Sequence, residues 1–177
     1  MEPLMDDTAL AIIGLGSNLP WRERSSVEII ASVMRQLRTL SAGRYLASSL
    51  WRTSPVDCPP GSGDFINAVV ALAPAPAMTP EGLLACLKQF EAAHERPEPA
   101  RRNAPRPLDL DLLAFGQQRR HSATLQLPHP RAMQRRFVLA PLAEILPTLC
   151  WPGTARTVAE WLATLDESES VARLAGV

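Results

Sequence analysis

At 177 residues, with 18 basic and 18 acidic side chains and 46% apolar residues, the chain can bury one sizeable core. Its zero formal charge excludes a bulk polyanion binder, and its apolar content excludes a disordered chain. Cys58, Cys86 and Cys150 form no C-x-x-C pair, so neither a zinc site nor a disulfide framework is expected, and a reducing cytosol is the natural compartment. The acidic Met1–Asp7 stretch has no apolar region of a signal peptide, and no apolar run approaches membrane-spanning length. One cytoplasmic domain over 1–177 is the expectation.

Thr8 to Leu15 is an apolar run suited to a buried strand, broken by Gly16-Ser17-Asn18, which reads as a tight turn. Gly14-x-Gly16 is not a dinucleotide loop, because Leu19 stands where the third glycine belongs, and no Walker Gly-Lys-Ser/Thr occurs. Val27, Ile30, Met34 and Leu37 then recur at helical spacing within Arg22–Leu40, with Gly43 as the stop. Arg44 to Arg52 reads as a weakly alternating second strand, and Ser54 to Asp64 as a Pro/Gly loop. Phe65 to Leu72 is the clearest strand; Asn67 shares a face with Phe65, Val69 and Ala71. A buried amide there needs partners, either backbone groups or the edge of a planar heterocycle beside Phe65. Thr79-Pro80 caps a second helix with Leu83, Leu84, Leu87 and Phe90 on its buried stripe, ending near His94.

A Pro- and Arg-rich stretch to Pro107, with Arg96, Arg101, Arg102 and Arg106, follows and reads as a stiffened lid suited to gripping phosphate. It leads into Leu108-Asp109-Leu110-Asp111-Leu112, whose period of two puts both aspartates on one face of a strand, with α-carbons about 6.5–7 Å apart. Such a pair is costly to keep ionised without a cation, and Mg2+ accepts one or two carboxylates completed by substrate phosphates. Taken alone, the alternation fits a wet amphipathic strand better than a metal site; the flanking arginines shift the balance toward a metal–polyphosphate site. Phe115-Gly116 turns the chain, Gln117–Ser122 reads as a hairpin or an exposed connection, and Thr124–Leu127 as a short strand. His129, between Pro128 and Pro130 and near Arg131, Arg135 and Arg136, is a structural residue or a phosphate donor. Phe137–Ile145 packs, with Pro141 opening a short helix, and Thr157-x-x-Glu160 is the capping box of a last helix containing Trp161 and Leu162.

In this order the motifs Gly16-Ser17-Asn18-Leu19, Arg52-Thr53-Ser54-Pro55, Phe65-Ile66-Asn67-Ala68, Glu91, Pro105-Arg106-Pro107-Leu108-Asp109-Leu110-Asp111, and Pro128-His129-Pro130-Arg131 through Phe137 resemble the 6-hydroxymethyl-7,8-dihydropterin pyrophosphokinases. The resemblance spans residues 8 to about 146. It implies a three-layer α+β fold related to the ferredoxin-like architecture, with a mainly antiparallel sheet flanked by helices. The implied reaction moves the diphosphate of ATP onto the pterin hydroxymethyl oxygen and releases AMP. It makes Asp109 and Asp111 the ligands of two Mg2+ ions and, with Arg96 and Arg106, the catalytic set. Thr53, Ser54, Pro55, Val56, Phe65, Asn67 and Phe137 fall on the pterin side; Glu91, Arg106, Leu112, His129 and Arg135 fall on the nucleotide side. ATP and the pterin are the implied partners, with no nucleic acid and no membrane, in a monomer or weak homodimer. Glu98 replaces the family's second lid arginine, and Asn103 an aromatic residue. A pterin-binding relative with weak or no kinase activity is therefore the alternative, against which Asp109, Asp111, Arg106 and His129 argue. An RNA-binding module on a ferredoxin-like sheet is disfavoured by zero net charge and the missing RNP1 aromatics.

Overall fold

A computed structural model describes residues 9–55, 58, 60–94 and 105–175. Val56, Arg96, Glu98, Arg101, Arg102 and Asn103, singled out in the sequence, lie outside the described residues. The strands are β1 (Ala11–Ser17), β2 (Ser41–Ala47), β3 (Trp51–Thr53), β4 (Phe65–Pro74), β5 (Asp109–Phe115), β6 (Arg120–His121), β7 (Gln126–Leu127) and β8 (Val171–Arg173). Among them run α1 (Ser26–Arg38), α2 (Pro80–Ala93), α3 (Arg136–Ile145) and α4 (Val158–Thr164).

β4 is the spine of the main sheet. β1 lies antiparallel on one side of it with β5 beyond, and β2 and β3 share its other side, with β8 outside β3. All these pairings are antiparallel; β6 and β7 form a separate hairpin. Ile66 to Leu72 are buried without interruption because helices cover both faces of the sheet, which explains a continuous apolar run where a half-exposed strand would alternate. Ile13, Leu15, Val70, Leu72, Leu110 and Leu112 pack with Ile29, Ile30, Val33 and Leu37 of α1 and with Leu83 and Leu87 of α2. Ile12, Val69, Ala71, Leu113 and Ala114 pack on the other face with Val138, Leu139 and Leu142 of α3 and with Val158 of α4. The result is α+β: a mainly antiparallel sheet between two helical layers.

Local chemistry sets the ends of these elements. Ser25 and Glu28 form a capping box at α1, Thr79 accepts the Gly82 amide at α2, and Thr157 and Glu160 repeat the box at α4. Helix α1 stops at Arg38, before Gly43, which lies inside β2; the Thr39 hydroxyl donates to the Gln36 carbonyl at 2.7 Å and closes the last turn. The strand expected over Arg44–Arg52 is two strands. Ser48 stands at the break, donating its amide to the Val69 carbonyl and accepting the Val69 amide on its hydroxyl, both at 2.9 Å. A side chain thus replaces one rung of the ladder.

Pro141 does not open α3; it lies inside a helix that begins at Arg136. The missing proline N–H removes the helical partner of the Phe137 carbonyl. β5 carries a bulge: Ile12 faces Ala114 and Ile13 faces Leu112, so Leu113 is left without a partner. Leu113 and Ala114 therefore both turn to the α3 side, whereas strict alternation would send one of them to each face.

Candidate active site

A cavity of about 640 Å³ opens on the α3 side of the sheet. Its floor is made by β1, β4 and β5: Gly14, Gly16, Asn67, Asp109, Asp111 and Leu113. Thr53, Ser54 and Phe65 line it near β3, and Arg131, Gln134, Arg135, Phe137 and Glu169 line it from the segments around α3 and β8.

Asn67 is buried, and its Nδ2 donates to the Thr53 hydroxyl at 2.7 Å, so the amide edge is fixed by a neighbouring strand. Gly16 gives it room: a Cβ there would meet Asn67 Oδ1 at 3.0 Å. The Gly16-Ser17-Asn18 motif is therefore not a turn at the strand end. Gly16 and Ser17 belong to β1, and the glycine serves close side-chain approach. Asn18 pins the start of the acidic segment, since its Oδ1 accepts the Arg106 backbone N–H at 2.8 Å and its own backbone N–H donates to the Arg106 carbonyl at 3.1 Å. Arg106 then donates through Nη1 to Asp109 Oδ1 at 2.9 Å.

Asp109 and Asp111 both line the cavity, as the two-residue period requires. Burial, reinforced by the charge of Asp109, pushes the Asp111 carboxyl up to about 6. A carboxylate held this way gains from a cation. The described residues contain no group of three or more His, Cys, Asp or Glu able to cage a metal. Two carboxylates with most of the coordination left to phosphate and water fit Mg2+, which keeps waters and binds through few protein ligands.

Four predicted residues lie off the cavity lining. Glu91 is buried on α2, where Oε1 accepts the Leu110 amide at 2.8 Å and Oε2 pairs with Lys88 at 2.8 Å. It thereby covers the free edge of β5, an edge that strands rarely leave bare. The Leu112 side chain is buried in the α1/α2 layer. Pro55 follows the lining residue Ser54 without lining the cavity itself. His129 hangs on the same β5 edge, its amide donating to the Leu113 carbonyl at 2.8 Å. Burial first, then Arg135 and Arg131, lower its imidazole to about 4, and its Nδ1 faces the Arg131 amide at 3.2 Å. A neutral ring accepting at Nδ1 carries its proton on Nε2. Arg135 sits 5.4 Å over the Phe137 ring; burial and Arg131 lower its pKa, yet a guanidinium stays charged.

Sequence reasoning missed Gly14, Gln134, Cys58 and Glu169 as lining residues. Glu169 carries no motif in the sequence, and it reaches the cavity because the strand that follows it, β8, pairs with β3.

Residues 12–147 match the family model described as 7,8-dihydro-6-hydroxymethylpterin-pyrophosphokinase. The chain belongs to this family. It is a pyrophosphokinase of folate biosynthesis, and the family generally uses Mg2+. A 2-amino-4-hydroxy-6-hydroxymethyldihydropteridine pyrophosphokinase of Methylorubrum extorquens is 38% identical over 162 residues, covering 89% of this chain and 94% of that protein. The enzyme of the same description from Bacillus subtilis is 35% identical over 136 residues, covering 77% of each. The fold is shared with the Plasmodium falciparum HPPK-DHPS wild type solved with SDX-DHP, at a TM-score of 0.65 and 13% identity. That match covers 87% of this chain and 44% of the longer one. The weak identity speaks to fold alone. Among the described residues, no helix of this pyrophosphokinase is long and apolar enough to cross a membrane.

Proposed function

We propose that this pyrophosphokinase takes 6-hydroxymethyl-7,8-dihydropterin against Asn67 and its hydroxymethyl group toward Asp109 and Asp111, where the phosphates of ATP are gathered. The observation that carries the reading is that one cavity holds a fixed amide, two aromatic side chains and a carboxylate pair. Phe65 and Phe137 offer apolar faces for a flat ring, a contact worth about 0.5–1.5 kcal/mol per pair beyond burial. Asn67 offers a donor and an acceptor whose orientation Thr53 sets, so a ring with the wrong edge leaves buried groups unpaired.

Asp109 and Asp111 would hold Mg2+, and two ions suit a transfer in which attacking and leaving oxygens both carry charge. When bound, the metal neutralises the triphosphate and lowers the cost of bringing an alcohol oxygen to it. The chain's own residues do the positioning, which dominates phosphoryl chemistry because little covalent work falls to the protein. Arg106 pairs with Asp109 and can turn to phosphate when a cation takes that carboxylate. Arg135 supplies a permanent positive charge, and His129 a neutral Nε2–H donor at the β5 edge. Glu91 and Leu112 belong to the nucleotide side in this reading, and Arg96 and Val56 enter it from sequence only.

Incubation with ATP, Mg2+ and the hydroxymethylpterin tests the reading directly. AMP should form in equal amount to pterin diphosphate, and Asp111→Asn should lower kcat by about a thousandfold while keeping the fold. ADP as the product, or near-normal turnover of that variant at saturating Mg2+, would refute it.

A further inference from the structure

The N-terminus of α3 flanks two cavity residues, Arg135 and Phe137, yet it has no cap of its own. Arg135 occupies the cap position, and its side chain makes no capping hydrogen bond. The acceptor comes from 33 residues downstream, where Glu169 Oε2 takes the Arg136 amide at 3.1 Å. A carboxylate at this end of a helix satisfies a free N–H and meets the positive end of the dipole. The same short segment is fastened to another part of the cavity lining: the Ser54 amide donates to the Ser170 carbonyl at 3.2 Å, and Thr53 faces Val171 across the β3–β8 ladder. Glu169 lines the cavity as well. Other contacts to Arg136 are weaker, Nη2 lying 3.9 Å from an almost fully exposed Glu167. This segment lies beyond the residues matched by the family model.

We propose that Glu169 is a positioning residue for the reaction: it ties the α3 N-terminus to the Thr53–Ser54 strand, so that Phe137 and Arg135 keep one spacing from Phe65 and Asn67 before substrate arrives. Without it the α3 end keeps its packing side and the longer contacts of Arg136 to the Asp166 carbonyl and Glu167, and the slot for a flat ring loses its shortest tie. The inference rests on the assignment of that slot to the pterin.

The test measures pterin dissociation constants by fluorescence with a non-hydrolysable ATP analogue and Mg2+, together with kcat, both KM values and the thermal midpoint. Glu169→Ala should raise the pterin dissociation constant and KM about tenfold, equivalent to about 1.4 kcal/mol, with a smaller change in kcat. Glu169→Gln keeps an oxygen for the Arg136 amide and should return to within about threefold of wild type. Glu167→Ala should match wild type. The proposal is overturned if Glu169→Ala binds pterin as wild type does, if Glu169→Gln is as impaired as Glu169→Ala, or if only the thermal midpoint moves. Asn67→Ala separates the two levels of the argument. Weak pterin binding by Asn67→Ala beside normal binding by Glu169→Ala sinks the positioning role alone; normal binding by both sinks the pterin slot itself.

Discussion

One absent methyl group sets the shape of the recognition edge. A Cβ at position 16 would come within 3.0 Å of Asn67 Oδ1, and Asn67 cannot retreat, because it is buried and its Nδ2 is tied to Thr53 at 2.7 Å. Gly16 is not among the glycines with positive φ, so Gly16→Ala probes space without adding backbone strain. The expected result is a pterin KM raised about tenfold, since a misplaced donor–acceptor edge discriminates more strongly than a lost apolar contact. The thermal midpoint should fall by only a few degrees, of order 1 kcal/mol. Steady-state kinetics with melting curves checks both; an unchanged KM would mean that the Asn67 amide is not what reads the ring. The glycine was legible in the sequence, but its purpose was not. Gly-Ser-Asn after a strand reads as a turn, and only the register that sets Gly16 opposite Asn67 shows why no side chain fits.

At the scale of elements, Glu144 near the end of α3 gathers three strangers in sequence. It accepts the Ser49 hydroxyl at 2.6 Å, the Ser49 amide at 3.0 Å and the Trp51 indole N–H at 3.1 Å, and pairs with Arg173 of β8 at 3.3 Å. Burial alone would raise this carboxyl, but the bonds from Ser49 and Trp51 outweigh it and hold the pKa below the ordinary glutamate value. A lowered folded value means that the unfolded chain takes up the proton first as pH falls. The stabilisation is thus complete above the ordinary glutamate value and drains away as pH falls through the lowered one. Glu144→Ala should cost about 0.5–1.5 kcal/mol near neutrality, because water takes over the exposed Ser49 and indole donors only in part. Denaturant melts at successive pH values should show wild type and variant converging in acid; a constant gap would refute the linkage. This hub explains what the sequence hid. β8 is three residues of weak strand propensity, created by β3 and by Arg173, whereas α1, α2 and α4 announce themselves through caps and periodicity. Pro141 misled for a related reason: packing of Val138, Leu139 and Leu142 carries α3 through a residue that normally marks a helix start.

The whole molecule carries no formal net charge, and its cavity repeats that balance. Among the described lining residues Arg106, Arg131 and Arg135 stand against Asp109, Asp111 and Glu169. A balanced site has little to offer bare ATP, whose tail would face the aspartates, but it suits a triphosphate neutralised by divalent ions. The pterin slot is different in kind, since Phe65, Asn67, Thr53 and Phe137 are uncharged and belong to elements other than β5. This division follows from the sheet: β5 brings the acids, β4 the amide, and α3 lies across β4. The acidic alternation and the amide on an apolar run were both readable from residues alone, whereas their meeting in one cavity needed β1 between them. Removal of Mg2+ by a chelator should therefore act on one half only. Nucleotide affinity should fall by at least about tenfold as the carboxylate pair is left facing phosphate, while pterin affinity stays within about twofold. Isothermal titration of each ligand with and without chelator reads this directly. Equal losses for both ligands would show that the metal organises the entire cavity, and the division of labour between β5 and β4 would have to be abandoned.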